Sequence, residues 1–139
     1  MRLAIVFVSG FFFSFSVFGS TCISDGKATK KLSEKYLNEI LFSVDSSSDE
    51  IDVVFELPSK INESNLSDVF IVKLASNVDN KLKFLFPLKA RVEDETAHVW
   101  YMLSKTMSDY NFIQFSYGEE CGVLIEYEVN YEGQELKLK

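Results

Sequence analysis

The chain has 139 residues, with 21 acidic against 14 basic side chains, a formal net charge of −7, one histidine and two cysteines. That charge disfavours nucleic acid, whose phosphates are bound by lysine and arginine releasing counterions. A single histidine likewise cannot supply the two or three imidazoles of a typical catalytic zinc site.

Arg2 opens the chain and is followed by an apolar run over residues 3–18, broken only by Ser9, Gly10, Ser14 and Ser16. A membrane-spanning helix needs about 20 predominantly apolar residues, and this run meets small residues first. It reads as a cleavable secretory signal peptide over residues 1–19, cut after Gly19 or, next best, after Ser20. One domain, residues 20–139, remains without a membrane anchor, in the periplasm or secreted. The removed segment carries one basic residue and no acid, so the charge passes from −7 to −8. Thr21 before Cys22, and Gly19 where a leucine is usual, argue against lipid attachment at Cys22. An even cysteine count in an oxidising compartment points instead to a Cys22–Cys121 disulfide. Such a bridge closes a loop of about 100 residues, for which the chain-entropy account gives roughly 4 to 5 kcal/mol.

Over residues 27–41, Leu32, Tyr36, Leu37, Ile40 and Leu41 fall at helical spacing, with lysines and glutamates between them, which predicts an amphipathic helix. Its end also fits a strand, because Ile40, Phe42 and Val44 alternate. After a serine-rich acidic loop the period becomes two. Ile51, Val53, Phe55 and Leu57 alternate with polar residues until Pro58 ends the strand. A loop with two sequons, at Asn62 and Asn65, comes next. Apolar runs at 69–75 and 82–86 then flank turn-favouring residues and predict a hairpin. Leu88, Ala90 and Val92 lead to the charged tip Glu93, Asp94, Glu95, and Ala97, Val99, Tyr101 and Leu103 return as a second hairpin. An aromatic strand over 110–117 turns at Gly118, Glu119 and Glu120. Val123, Ile125, Tyr127, Val129 and Tyr131 then share one face of a further strand, and Gly133 permits a last hairpin to Leu136 and Leu138. The expected fold is mainly β: an antiparallel β-sandwich of 7 or 8 strands with one N-terminal amphipathic helix.

Motifs for chemistry are missing. There is no H-E-x-x-H, C-x-x-C or G-x-S-x-G spacing and no phosphate-cradling glycine loop. Asp45, Asp49 and Glu50 lack the alternating acids and central glycine of a calcium loop. No acid pair is set apart for glycosidase work. His98 shares a strand face with Trp100 and Met102. The expectation is a protein that is not an enzyme, with no catalytic residue, metal or cofactor. In residues 96–103 both faces are largely apolar, so that strand is either central between two layers or covered by another chain, a homodimer included.

Export, size, acidity, a disulfide and the absence of catalytic motifs give the chain gross features that resemble periplasmic inhibitors and immunity proteins of cell-wall hydrolases. The likeness rests on no motif and transfers no residue. It implies a non-enzymatic binding protein that neutralises a basic hydrolase or toxin, with an acidic surface to speed encounter. The alternative is a carrier of a small molecule or lipid in an interior cavity. For the inhibitor, the expected partner-binding residues are those of two acidic turns: Glu93, Asp94 and Glu95, and Tyr117, Glu119 and Glu120 beside Gly118, with Tyr117 as an anchor.

Overall fold

A computed structural model describes residues 26–46, 49–74, 83–119 and 122–138. The expected signal segment, Cys22, Cys121 and Glu120 lie outside them, and so does the expected disulfide. An α-helix, α1 (Gly26–Tyr36), runs into a 3-10 turn (Leu37–Glu39) and ten strands follow: β1 (Leu41–Asp45), β2 (Glu50–Pro58), β3 (Lys60–Ile61), β4 (Ser64–Leu74), β5 (Lys83–Leu88), β6 (Ala90–Glu93), β7 (Thr96–Ser104), β8 (Phe112–Tyr117), β9 (Val123–Asn130) and β10 (Glu135–Leu138). The fold is mainly β and antiparallel, as expected, with ten strands among the described residues rather than seven or eight.

A four-stranded sheet has the order β1-β2-β7-β6. The other, six-stranded, has the order β10-β9-β8-β4-β3, with β5 also paired to β4. Alternation decides what lies between them. Val53, Phe55 and Leu57 of β2 and Ala97, Val99 and Tyr101 of β7 meet Ile113, Phe115, Tyr117, Ile125 and Tyr127 of β8 and β9, all buried. Phe55 is the hub: its ring stacks on Tyr101 at 6.2 Å and meets Phe115 edge-on at 5.6 Å. Such pairs add about 0.5 to 1.5 kcal/mol beyond the area they bury.

The helix ends before residue 40, and Ile40, Phe42 and Val44 follow the strand alternative: Ile40 and Val44 are buried and Phe42 half-buried. Ser33 fixes the helix against β9. Its hydroxyl donates to Thr29 O (2.9 Å) and accepts from Glu126 N (3.0 Å), and its carbonyl accepts from the Tyr127 hydroxyl (2.9 Å). β10 pairs with β9 only from Tyr127 onward, so the helix satisfies the backbone that β10 leaves open.

The loop expected after Pro58 contains β3 and the first turn of β4, joined through Asn62 and Glu63, both at positive φ (49° and 65°). Two left-handed residues in succession suit the twist of a tight hairpin. Ser59, between β2 and β3, is the corner at which the chain passes from one sheet to the other. Its N–H donates to Glu95 O and its carbonyl accepts from Leu66 N, both at 2.8 Å. A second crossing lies at Lys89: Leu88, expected to open the strand before the charged tip, ends β5 instead.

Candidate binding surface

The acidic tip is a two-residue hairpin. Glu93 pairs with Thr96, leaving Asp94 and Glu95 to turn the chain, and Asp94 takes φ 54°. All three acids of the tip are exposed. Its backbone is held from below, because the buried Ser59 donates through N–H to Glu95 O and through its hydroxyl to Asp94 O (3.4 Å). Carboxylates on a pinned turn can meet a partner with little ordering cost.

The second expected turn lies at the same end of the sandwich. Gly118 (φ 88°) donates its N–H to Asn65 O at 2.7 Å, and Leu66, next along β4, bonds to Ser59 beneath the first tip. A Cβ on Gly118 would meet the Ser64 hydroxyl at 3.2 Å in a backbone conformation that L residues avoid, so glycine is required there. Glu119 is exposed beside it.

Tyr117 does not join this surface. It is fully buried, and its hydroxyl donates to Pro58 O at 2.8 Å, tying β8 to the end of β2. Burial pushes its pKa well above the usual tyrosine value, with smaller contributions from Tyr127, Tyr36 and Glu39. The expected anchor is therefore a core residue. Strand parity carries the signal, since Tyr117 stands two and four residues after Phe115 and Ile113, both inward.

The outer face of the four-stranded sheet supplies an apolar surface in its place. On β7 the inward set is Ala97, Val99, Tyr101 and Leu103, all buried, while Trp100 is 61% exposed and Met102 48%. Cross-strand register sets Val54 opposite Trp100, Asp52 opposite Met102, Glu56 opposite His98 and Leu41 opposite Glu56. Leu41 is 64% exposed. On the β6 side, Arg91 lies opposite His98 and pairs with Glu93 at 2.6 Å. His98 stands between two carboxylates, with Nδ1 3.9 Å from Glu56 and Nε2 4.0 Å from Glu93. The histidine thus joins the apolar strip to the acidic tip on one continuous face.

Where that face meets the acidic end, a shallow cleft of about 230 Å³ is lined by Glu39, Leu41, Glu56, Leu57, Pro58 and Thr96. Two carboxylates over an apolar floor suit the stem and charged head of a lysine or arginine. Among the described residues no group of three or more His, Cys, Asp or Glu side chains could hold a metal ion.

No protein-family model matches the chain, and no curated protein and no solved structure is significantly similar to it.

Proposed function

We propose that the chain is an exported, non-enzymatic binding protein that inhibits or neutralises a basic, cell-wall-acting enzyme. One observation carries the reading: Trp100, Met102 and Leu41 are exposed on the outer face of the four-stranded sheet, with the half-buried Val54 opposite Trp100, and Glu56 and His98 on that face lead to Glu93 of the acidic tip. Large exposed apolar patches with polar rims mark interaction surfaces. Tryptophan is among the residues that most often dominate binding energy, and a ring of acids selects a basic partner and speeds its approach. A basic side chain of that enzyme enters the cleft between Glu39 and Glu56. The carrier alternative has less behind it, since Phe55, Tyr101 and Phe115 pack together in the middle of the sandwich, where a ligand would sit.

The test uses a basic lysozyme as probe. Saturable binding that weakens with salt, together with slower clearing of a cell-wall suspension, is the expected result. Clearing at the unchanged rate in the presence of excess protein at low salt counts against a lysozyme-like target.

A further inference from the structure

The strand β5 carries a surface of the opposite character. Between Asn80 and Ala90 the sequence has three basic residues, Lys81, Lys83 and Lys89, and no acid, in a chain whose net charge is −7. Within this stretch three consecutive large apolar side chains are open to solvent: Phe84 at 52%, Leu85 at 52% and Phe86 at 56%. Phe84 and Phe86 lie opposite Lys73 and Ile71 on one face of the sheet, and Leu85 lies opposite Val72 on the other. Apolar surface therefore wraps both sides of one strand. Among the described residues that strand pairs only with β4, and no described strand covers its other edge.

An open edge invites strand addition, and proteins block it with proline and lysine. β5 has Pro87 within it and Lys83 and Lys89 at its borders. A second copy of the chain adding its own strand would meet both devices. An anionic bilayer would not, because its interfacial zone accepts aromatic and aliphatic side chains from any direction and holds lysines at the level of the phosphates.

The acidic end stands apart from this strand. By register, Phe84 to Phe86 lie beside residues 71–73 of β4, whereas the acidic end lies at Ser64 and Asn65. At about 3.3 Å per residue the separation is roughly 20 to 30 Å, more than two screening lengths of about 8 Å at physiological salt. Asp109, near Lys73, is already paired with it.

We propose that β5 is a peripheral docking edge for an anionic lipid surface. Phe84, Leu85 and Phe86 enter the interface and Lys89, which is exposed, meets lipid phosphates. The acidic end then points away from the membrane. This reading does not depend on the identity of any protein partner.

Co-sedimentation with pure phosphatidylglycerol vesicles and pure phosphatidylcholine vesicles tests it, using the chain as its host processes it. The expected result is binding to phosphatidylglycerol that falls with salt and exceeds binding to phosphatidylcholine at least about tenfold. Phe84→Ser with Phe86→Ser should lower phosphatidylglycerol binding by about tenfold or more, with the circular dichroism spectrum and unfolding midpoint of the parent, since both side chains are exposed. Lys89→Glu should lower it by about fivefold or more. Equal pelleting of the parent and the double serine variant overturns the proposal, as does a parent that leaves phosphatidylglycerol vesicles unbound. A concentration-dependent dimer in sedimentation equilibrium, dissolved by the two serines, would overturn it in favour of a second copy.

Discussion

The two faces of β7 carry the same kind of side chain to opposite uses. Tyr101 and Trp100 are neighbours in sequence and both are large aromatics. Tyr101 is buried against Phe55 while Trp100 stands 61% exposed. The hydroxyl of Tyr101 donates to that of Tyr131 (3.2 Å), which is free to accept because its own proton goes to Tyr110 O at 2.6 Å. Every polar atom there is spent inside the fold. On the outer face, by contrast, His98 and its flanking carboxylates remain half-exposed around an uncovered indole. Aromatic content alone thus says little about role, whereas the parity of a residue along the strand says much.

The sharpest way to break this comparison is to truncate one aromatic on each face. Tyr101→Ala removes the ring on Phe55 and the hydroxyl that bonds to Tyr131, and should lower unfolding free energy by roughly 3 to 5 kcal/mol in urea titration. Trp100→Ala should leave stability within about 0.5 kcal/mol of the parent and weaken partner binding by about 2 kcal/mol or more, near thirtyfold. A Trp100→Ala protein that unfolds as easily as Tyr101→Ala would mean that the outer face belongs to the core.

Alkaline pH separates the faces a second way. Burial pushes the Tyr131 phenol up to about 12, although the hydrogen bond from Tyr101 acts in the opposite direction. Tyr101 is raised further, by burial first and then by its pairing with Tyr131. A raised folded-state pKa means that above pH 10 the unfolded chain sheds protons the folded chain retains. Stability is therefore full below about pH 10 and falls as pH rises through 12, by up to about 1.4 kcal/mol per pH unit for each such tyrosine. Tyr101→Phe should make this fall shallower. An unchanged slope would place the alkaline sensitivity in Tyr117 and Tyr127, which burial also raises.

Much of this fold is legible in the residues where polar and apolar positions alternate cleanly. β9 is the clearest case: Ile125, Tyr127 and Val129 point inward as their period of two requires. The tip at Asp94 and Glu95 is equally plain, because a charged pair between alternating runs has few other uses. The start of β4 is not legible, since Ser64, Asn65, Ser67 and Asp68 offer no apolar period, and only the backbone turn at Asn62 and Glu63 builds that hairpin. Trp100 is a middle case. Both faces of its strand look apolar, but only its own face carries Thr96 and His98, and those polar residues are the signal for which side meets water. For Tyr117, proximity to Gly118 suggests a turn tip, whereas counting in twos from Ile113 puts it in the core. The exposed trio on β5 is illegible for a simpler reason: an apolar run next to a turn has the same pattern as a core strand, and only its place at the margin of the described sheet sets it apart.

The smallest expected effect tests whether the acidic tip and the apolar strip are one surface or two. Reversing Glu93, Asp94 and Glu95 to lysine should cost little stability, because the tip is held by its backbone carbonyls through Ser59 rather than by its carboxylates. The Glu93 pair with Arg91 is mostly exposed, and such pairs contribute about 0 to 1 kcal/mol. The charges act over distance on a basic partner before contact, so the change belongs in the association rate. A slowing of about three- to tenfold at low salt, vanishing at high salt, is expected, with dissociation nearly unchanged. Trp100→Ala should do the reverse, speeding dissociation while leaving association alone. If the tip reversal instead speeds dissociation as much as Trp100→Ala does, the carboxylates are in direct contact with the partner, and the interface extends over the end of the sandwich as well as its face. If it changes neither rate, the tip is a solvated turn and the strip binds alone.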